Sequence, residues 1–190
     1  LVFATSAWGG YSGCKQYHED IARAVEHAGE PDLLLRRLQQ FCTEPGFLDA
    51  SARAVRAGLE RFDGADPVRV VFTAHSIPIA ADERVGDRLY SRQVAAAAAA
   101  TAERLGLGDF DLVWQSRSGP PQVPWLEPDI GDHLRDLAAA GVQRVLVAPI
   151  GFISDHIEVV WDLDEEAREL AAELGLDYVR AATVGTDPGF

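Results

Sequence analysis

Several short segments of this 190-residue chain hold side chains suited to handling protons or metal ions. His75 stands in Phe72-Thr73-Ala74-His75-Ser76-Ile77-Pro78, where an imidazole can accept a proton near neutral pH or ligate a metal. A lone histidine there serves equally well as a partner for loop backbone groups. Gly151-Phe152-Ile153-Ser154-Asp155-His156-Ile157-Glu158 adds a second imidazole and two carboxylates. Glu158 also opens a series with Asp162 and Glu166, spaced i, i+4 and i+8, which an α-helix stacks on one face. Like charges so spaced cost a helix roughly a few tenths of a kcal/mol per pair, a cost that a visiting cation removes. Hard oxygen ligands of this kind could strip water from a divalent cation and pass it along. The competing reading is a solvated acidic face favoured by the helix dipole, and Glu165 and Glu169 make the same helix acidic elsewhere.

Two further segments are aromatic. Trp8-Gly9-Gly10-Tyr11-Ser12-Gly13-Cys14-Lys15-Gln16-Tyr17 is glycine-rich, yet it matches neither phosphate-loop nor dinucleotide spacing, nor a nucleophile elbow. Flexible backbone with aromatics suits a flat apolar ligand; an ordinary turn is the alternative. Trp114 and Trp125, the latter beside Pro124, could wall a cleft or pack a core.

The elements that must position these residues alternate in type. β-rich apolar runs occupy 1–6, 33–39, 69–74, 112–115, 145–150 and 178–182, with helical patterns over 17–27, 47–61, 88–105, 129–140 and 159–174. Continuous runs such as Val70-Val71-Phe72 suit strands covered on both faces. Gly106, Gly141 and Gly175 fall where left-handed helix caps are wanted. The expectation is one α/β domain over residues 1–190, a Rossmann-like parallel sheet flanked by helices. Ligands of such sheets bind outside the carboxyl ends of the strands, which is where His75 and the Gly151–Glu158 segment fall.

Composition narrows the classes. A net charge of −13 repels phosphate backbones and argues against nucleic acid as a partner. No apolar run approaches the roughly 20 residues of a membrane helix. Two cysteines, Cys14 and Cys42, without a CxxC pair exclude a disulfide scaffold or zinc ribbon and point to the cytoplasm. The chain opens inside an apolar run without methionine and closes on a turn-like Asp187-Pro188-Gly189-Phe190, so truncation at both ends is expected.

Taken together, the segments around His75, Val113-Trp114-Gln115-Ser116-Arg117, Pro124-Trp125-Leu126 and Pro149–Glu158 resemble the ferrochelatase family along the whole chain. The match is to the second of that family's two similar Rossmann-like halves. The Tyr11-Ser12-Gly13-Cys14 loop is most similar to the actinobacterial branch, which resembles the enzymes that metallate coproporphyrin III; protoporphyrin IX is the alternative substrate. The resemblance implies a lyase of haem biosynthesis that inserts Fe²⁺, its substrate metal, into a porphyrin. It implies that His75 and Glu158 are catalytic and, with Asp162 and Glu166, contact the metal. It implies further that Tyr17, Tyr11 and Ser12 meet the porphyrin and that Asp155 and His156 support Glu158. Transient haem-pathway partners are also implied. Some members carry a [2Fe–2S] cluster on four cysteines, one matching Cys14; the other three would lie beyond Phe190, so this chain cannot complete it. Without the first half, the chain alone is expected to be inactive. The rival readings are a porphyrin- or metal-binding module without turnover, a cobalt chelatase, and a metal-dependent hydrolase built on His75, His156 and Asp155. The last lacks HExxH spacing.

Overall fold

The computed structural model describes residues 1–10, 16–29, 33–64, 66–84 and 86–190. Four parallel strands form one sheet in the order β2-β1-β3-β4: β1 (Arg69–His75), β2 (Asp111–Gln115), β3 (Arg144–Ala148) and β4 (Asp177–Arg180). Parallel neighbours need long crossovers. Helices α3 (Ile79–Arg84) and α4 (Leu89–Leu105) link β1 to β2, and α5 (Ile130–Ala139) links β2 to β3. The third crossover is α6 (Ile157–Val159), a π-helical stretch Val160–Glu166, and α7 (Ala167–Glu173). Helices α1 (Gln16–Ala28) and α2 (Pro45–Leu59) precede the sheet.

The strand pleat sorts side chains into two cores. Val70, Phe72 and Ala74 pack with Phe47, Val55, Val94 and Ala98 of α2 and α4. Val71, Val145 and Val147 pack with Leu134, Val159, Leu163 and Ala171 on the opposite face. Both faces are therefore covered, as the uninterrupted apolar runs predict. Burial of each large apolar side chain here contributes about 1.5–3 kcal/mol. Gly106, Gly141 and Gly175 all adopt positive φ just past helix ends, as expected of left-handed caps.

Two expected strands do not form. Residues 1–6 and 33–39 meet only at a bridge between Val2 and Arg37, with Val2 N–H donating to Arg36 O and Leu38 N–H to Val2 O. Their side chains lack a covering layer: Leu1 is 88% and Leu34 92% exposed. The helix expected over 159–174 is real but not uniformly α, since 160–166 winds as π.

At the amino edge of the sheet, Arg69 grips Asp111 through two parallel hydrogen bonds and reaches Asp109, while His133 Nε2 lies 2.9 Å from Asp111 Oδ2. Burial works against the Asp111 charge, but bonds from Arg69 and His133 outweigh it and hold the carboxyl below the usual range. A carboxyl with a lowered folded pKa stabilises above its unfolded pKa of about 3.9 and loses that stabilisation as pH falls through the folded value. Asp111→Asn should therefore cost about 1–2 kcal/mol at pH 7 in thermal unfolding, and the difference should close below about pH 3.

The chain runs from β1 outward to β2, then returns to place β3 on the other side of β1. Strand order reverses between β1 and β3, the switch point at which open α/β sheets leave a crevice beyond their carboxyl ends. His75 ends β1, and the Gly151–Glu158 segment follows β3.

Candidate active site

His75 is pinned from three sides. Its carbonyl accepts the Tyr90 hydroxyl at 2.9 Å, the adjacent Ser76 N–H donates to Gln115 O at 2.7 Å, and Ser76 Oγ donates to Leu126 O. The ring places Nδ1 2.5 Å from Ser76 O, a carbonyl that can only accept, so the neutral imidazole carries its proton on Nδ1. The free lone pair sits on Nε2, 3.8 Å from Glu158 Oε1. The imidazole is 31% and the Glu158 side chain 48% exposed, so both reach the crevice.

Glu158 owes its place to a close backbone approach. Gly151 N–H donates to Thr73 O at 3.0 Å, and Gly151 O accepts Trp8 Nε1–H at 2.7 Å. A Cβ on Gly151 would lie 2.6 Å from Ala74 Cα and closer still to its Cβ. Gly151→Ala should therefore push the loop off β1, costing about 1–3 kcal/mol in denaturant unfolding, with the His75–Glu158 pair displaced. Beyond this turn the His156 ring packs edge-on to Phe152 and caps α6, its Nδ1 accepting Glu158 N–H at 3.3 Å. The same Nδ1 is 3.7 Å from Glu158 Oε2, so His156 borders one oxygen of the carboxylate and His75 the other.

The next carboxylate is held from β2. Gln115, fully buried, accepts Thr73 Oγ1–H at 2.8 Å and donates Nε2–H to Asp162 Oδ2 at 3.2 Å. Ser116 Oγ donates to the same oxygen, from a backbone at φ +61° that costs about 1–2 kcal/mol for a residue with a Cβ. Asp162 and Glu166 line an open cleft of about 520 Å³ with Asp129 and Glu169. Burial raises the Asp129 carboxyl above its usual range, with the Asp132 and Asp162 charges adding to the effect.

The π winding sets the line of these acids. At 3.6 residues per turn, residues four apart overshoot a full turn by about 40°. A wider i→i+5 turn makes the same step fall short instead, so drift over Glu158, Asp162 and Glu166 partly cancels. The i, i+4 spacing on its own indicates only an α-helical stack. Among the described residues, no three His, Cys, Asp or Glu side chains are grouped closely enough to hold a metal ion. His75 and Glu158 form a pair, and Asp162 and Glu166 continue from it along the helix.

Other expected site residues fall apart from this pair or outside view. Tyr17 is half exposed on α1, a helix that buries none of its residues. The Asp155 carboxylate is taken up by Arg180 at 3.1 and 3.2 Å. Tyr11, Ser12 and Cys14 lie outside the described residues. Cys42 is buried, which pushes its thiol pKa up, as expected of a structural cysteine. A [2Fe–2S] centre on four thiolates does not fit a chain of two cysteines, one of them buried.

The ferrochelatase family profile matches residues 1–190. The chain belongs to the ferrochelatase family. This ferrochelatase-family chain is 59% identical to a protein of Nocardia farcinica named coproporphyrin III ferrochelatase, over all of the chain and 56% of that relative. It is 58% identical to the protein of the same name from Mycobacteroides abscessus, and 56% to that of Mycobacterium ulcerans, each over all of the chain and 55% of the relative. It thus spans about half the length of the curated relatives it matches. The four-stranded parallel α/β sheet accords with a ferrochelatase-family domain. No helix among the described residues is long and apolar enough to cross a membrane.

Thr73, Gln115, Ser116 and Arg180 hold site residues in place, yet sequence reasoning assigns them no role. For Gln115 and Ser116 a trace existed, because Gln115 ends a predicted strand and Ser116 follows it. For Arg180 there was none: its partners lie 16 and 25 positions away and meet it only in the fold.

Proposed function

We propose that the complete protein inserts Fe²⁺ into a porphyrin, coproporphyrin III, in haem biosynthesis, and that His75 and Glu158 do the chemistry. The observation that carries this reading is the His75 Nε2 lone pair facing the Glu158 carboxylate at 3.8 Å across the switch-point crevice. Metal insertion expels two pyrrole N–H protons as Fe²⁺ enters. His75 Nε2 accepts one, and the carboxylate beside it stabilises the imidazolium formed. Glu158 is placed to take the second. Asp162 and Glu166 supply oxygens that replace water on the incoming cation, and an open line of acids suits a metal in transit better than a resident one.

The name shared by the relatives supports coproporphyrin III as substrate. Leu1, Phe3, Leu33, Leu34 and Leu38 form an exposed apolar edge on the two segments that meet at the Val2–Arg37 bridge. We assign this edge to contact with the part of a full-length protein that would close the porphyrin cleft, so the chain alone is expected to be inactive. The cytoplasm is the proposed location, with the porphyrin as the partner and haem-pathway proteins as transient ones.

The test is anaerobic Fe²⁺ insertion by the full-length protein, with coproporphyrin III and protoporphyrin IX offered separately. Faster turnover of coproporphyrin III supports the reading, and preference for protoporphyrin IX moves the substrate. Tight porphyrin binding without insertion makes the protein a binding module.

A further inference from the structure

Six carboxylates lie between Asp155 and Glu166: Asp155, Glu158, Asp162, Asp164, Glu165 and Glu166. One guanidinium divides them. Arg180, the last residue of β4, donates Nε–H and Nη2–H to Asp164 at 2.7 and 2.8 Å, and Nη1–H and Nη2–H to Asp155 at 3.1 and 3.2 Å. Its side chain is only 16% exposed, and its backbone is fixed in register with Val147 of β3. Such a fork on two carboxylates is a geometry that lysine cannot reproduce.

The two gripped residues bracket the reactive stretch. Asp155 lies three residues before Glu158, and Asp164 lies two after Asp162. A post on the sheet thereby holds both ends of the segment that sets Glu158 against His75 and Asp162 against Gln115. The charges divide in the same way. Arg180 takes Asp155 and Asp164, and Arg168 faces Glu165 at 3.4 Å. Among the described residues, no Lys or Arg side chain forms an ion pair with Glu158, Asp162 or Glu166.

We propose that Arg180 is a positioning residue for metal delivery: it locks the Glu158 turn and the π-helical stretch to β4 while neutralising only the acids that lie off the metal's path. The proposal rests on the chelatase reading above. Without the fork, Glu158 loses its fixed distance to Nε2, and two half-covered carboxylates become competing cation traps.

The experiment uses the full-length protein with Arg180→Lys, Arg180→Gln and Asp155→Asn. It measures kcat, the KM for Fe²⁺, the KM for porphyrin, the Tm, and amide hydrogen exchange over residues 156–164. Loss of such a supporting contact typically costs about 10–100-fold. That loss should appear in kcat/KM for the metal in both Arg180 variants, with the porphyrin KM within about two-fold and faster exchange confined to 156–164. Asp155→Asn keeps the Asp164 arm and should fall between wild type and Arg180→Lys; it carries the test if Arg180→Gln does not fold. Equal losses toward metal and porphyrin that track Tm would reduce Arg180 to general stability and overturn the proposal. So would unchanged exchange in Arg180→Lys, a readout that stands even if the wild type inserts no metal and the chelatase reading fails.

Discussion

His75→Ala in the full-length protein should lower Fe²⁺ insertion by about 10²–10⁴-fold, the range for losing a positioned general base. The fold should survive, because the imidazole is part-exposed and its one hydrogen bond is to its own neighbour's carbonyl. Porphyrin affinity, followed by fluorescence quenching, should change far less than turnover, since the imidazole contributes to the proton-transfer step more than to holding the ring. Anaerobic stopped-flow insertion with matched binding titrations checks both. Turnover indifferent to His75 would remove the base from the mechanism and leave Glu158 without its reacting partner.

Glu158→Gln should come next in size, with a loss of about 10²–10³-fold in kcat, typical of deleting one preorganised electrostatic partner. Glutamine keeps the volume and leaves the backbone N–H of residue 158 free to bond His156 Nδ1, so the α6 cap survives. What disappears, on the proposed mechanism, is the charge that stabilises the imidazolium and accepts the second proton. The variant should therefore show reduced turnover at the pH at which wild type works best. Glu158→Asp keeps the charge but withdraws it by one methylene and should recover part of the loss. An Asp variant as poor as Gln would make distance, not charge, the governing quantity.

The parts of the fold legible in the sequence are those held by many weak, similar contacts. Val70-Val71-Phe72 and Val145-Leu146-Val147 had to lie between two apolar layers because both of their faces are apolar, and they do. Leu33–Gln39 shows where the same reasoning stops. Its apolar content matches a strand, but a strand also needs a bonded neighbour and a cover, and neither is encoded within the segment. Helix α3 was missed because its six residues are too few for a periodic pattern; Asp82, buried within it, accepts Ser91 N–H and Oγ–H at the start of α4. At the site, residue type and place near a strand end made His75 and the Gly151–Glu158 segment candidates, and the family resemblance singled out His75 and Glu158 among them. The tautomer of His75, the grip of Gln115 and Ser116 on Asp162, and the capture of Asp155 by Arg180 all depend on which atoms meet across the sheet, and spacing along a chain does not carry that information.

The π-helical stretch has a consequence for the length of the chain itself. A wide turn holds about one residue more than an α-helix would need between the same two ends. Leu163, Ala167 and Ala171 keep that crossover seated on the sheet, and a shortened version with one residue removed from 160–166 could still present apolar side chains to the same core. It would do so with the acids out of phase, the α-helical step of four overshooting by about 40° and the step that lost a residue falling short by about 60°. The surplus residue serves the site and not the core, so a single deletion there would leave a stable, well-packed protein whose carboxylates no longer share a line. Fold and chemistry, inseparable at Gly151, come apart along this helix by the width of one residue.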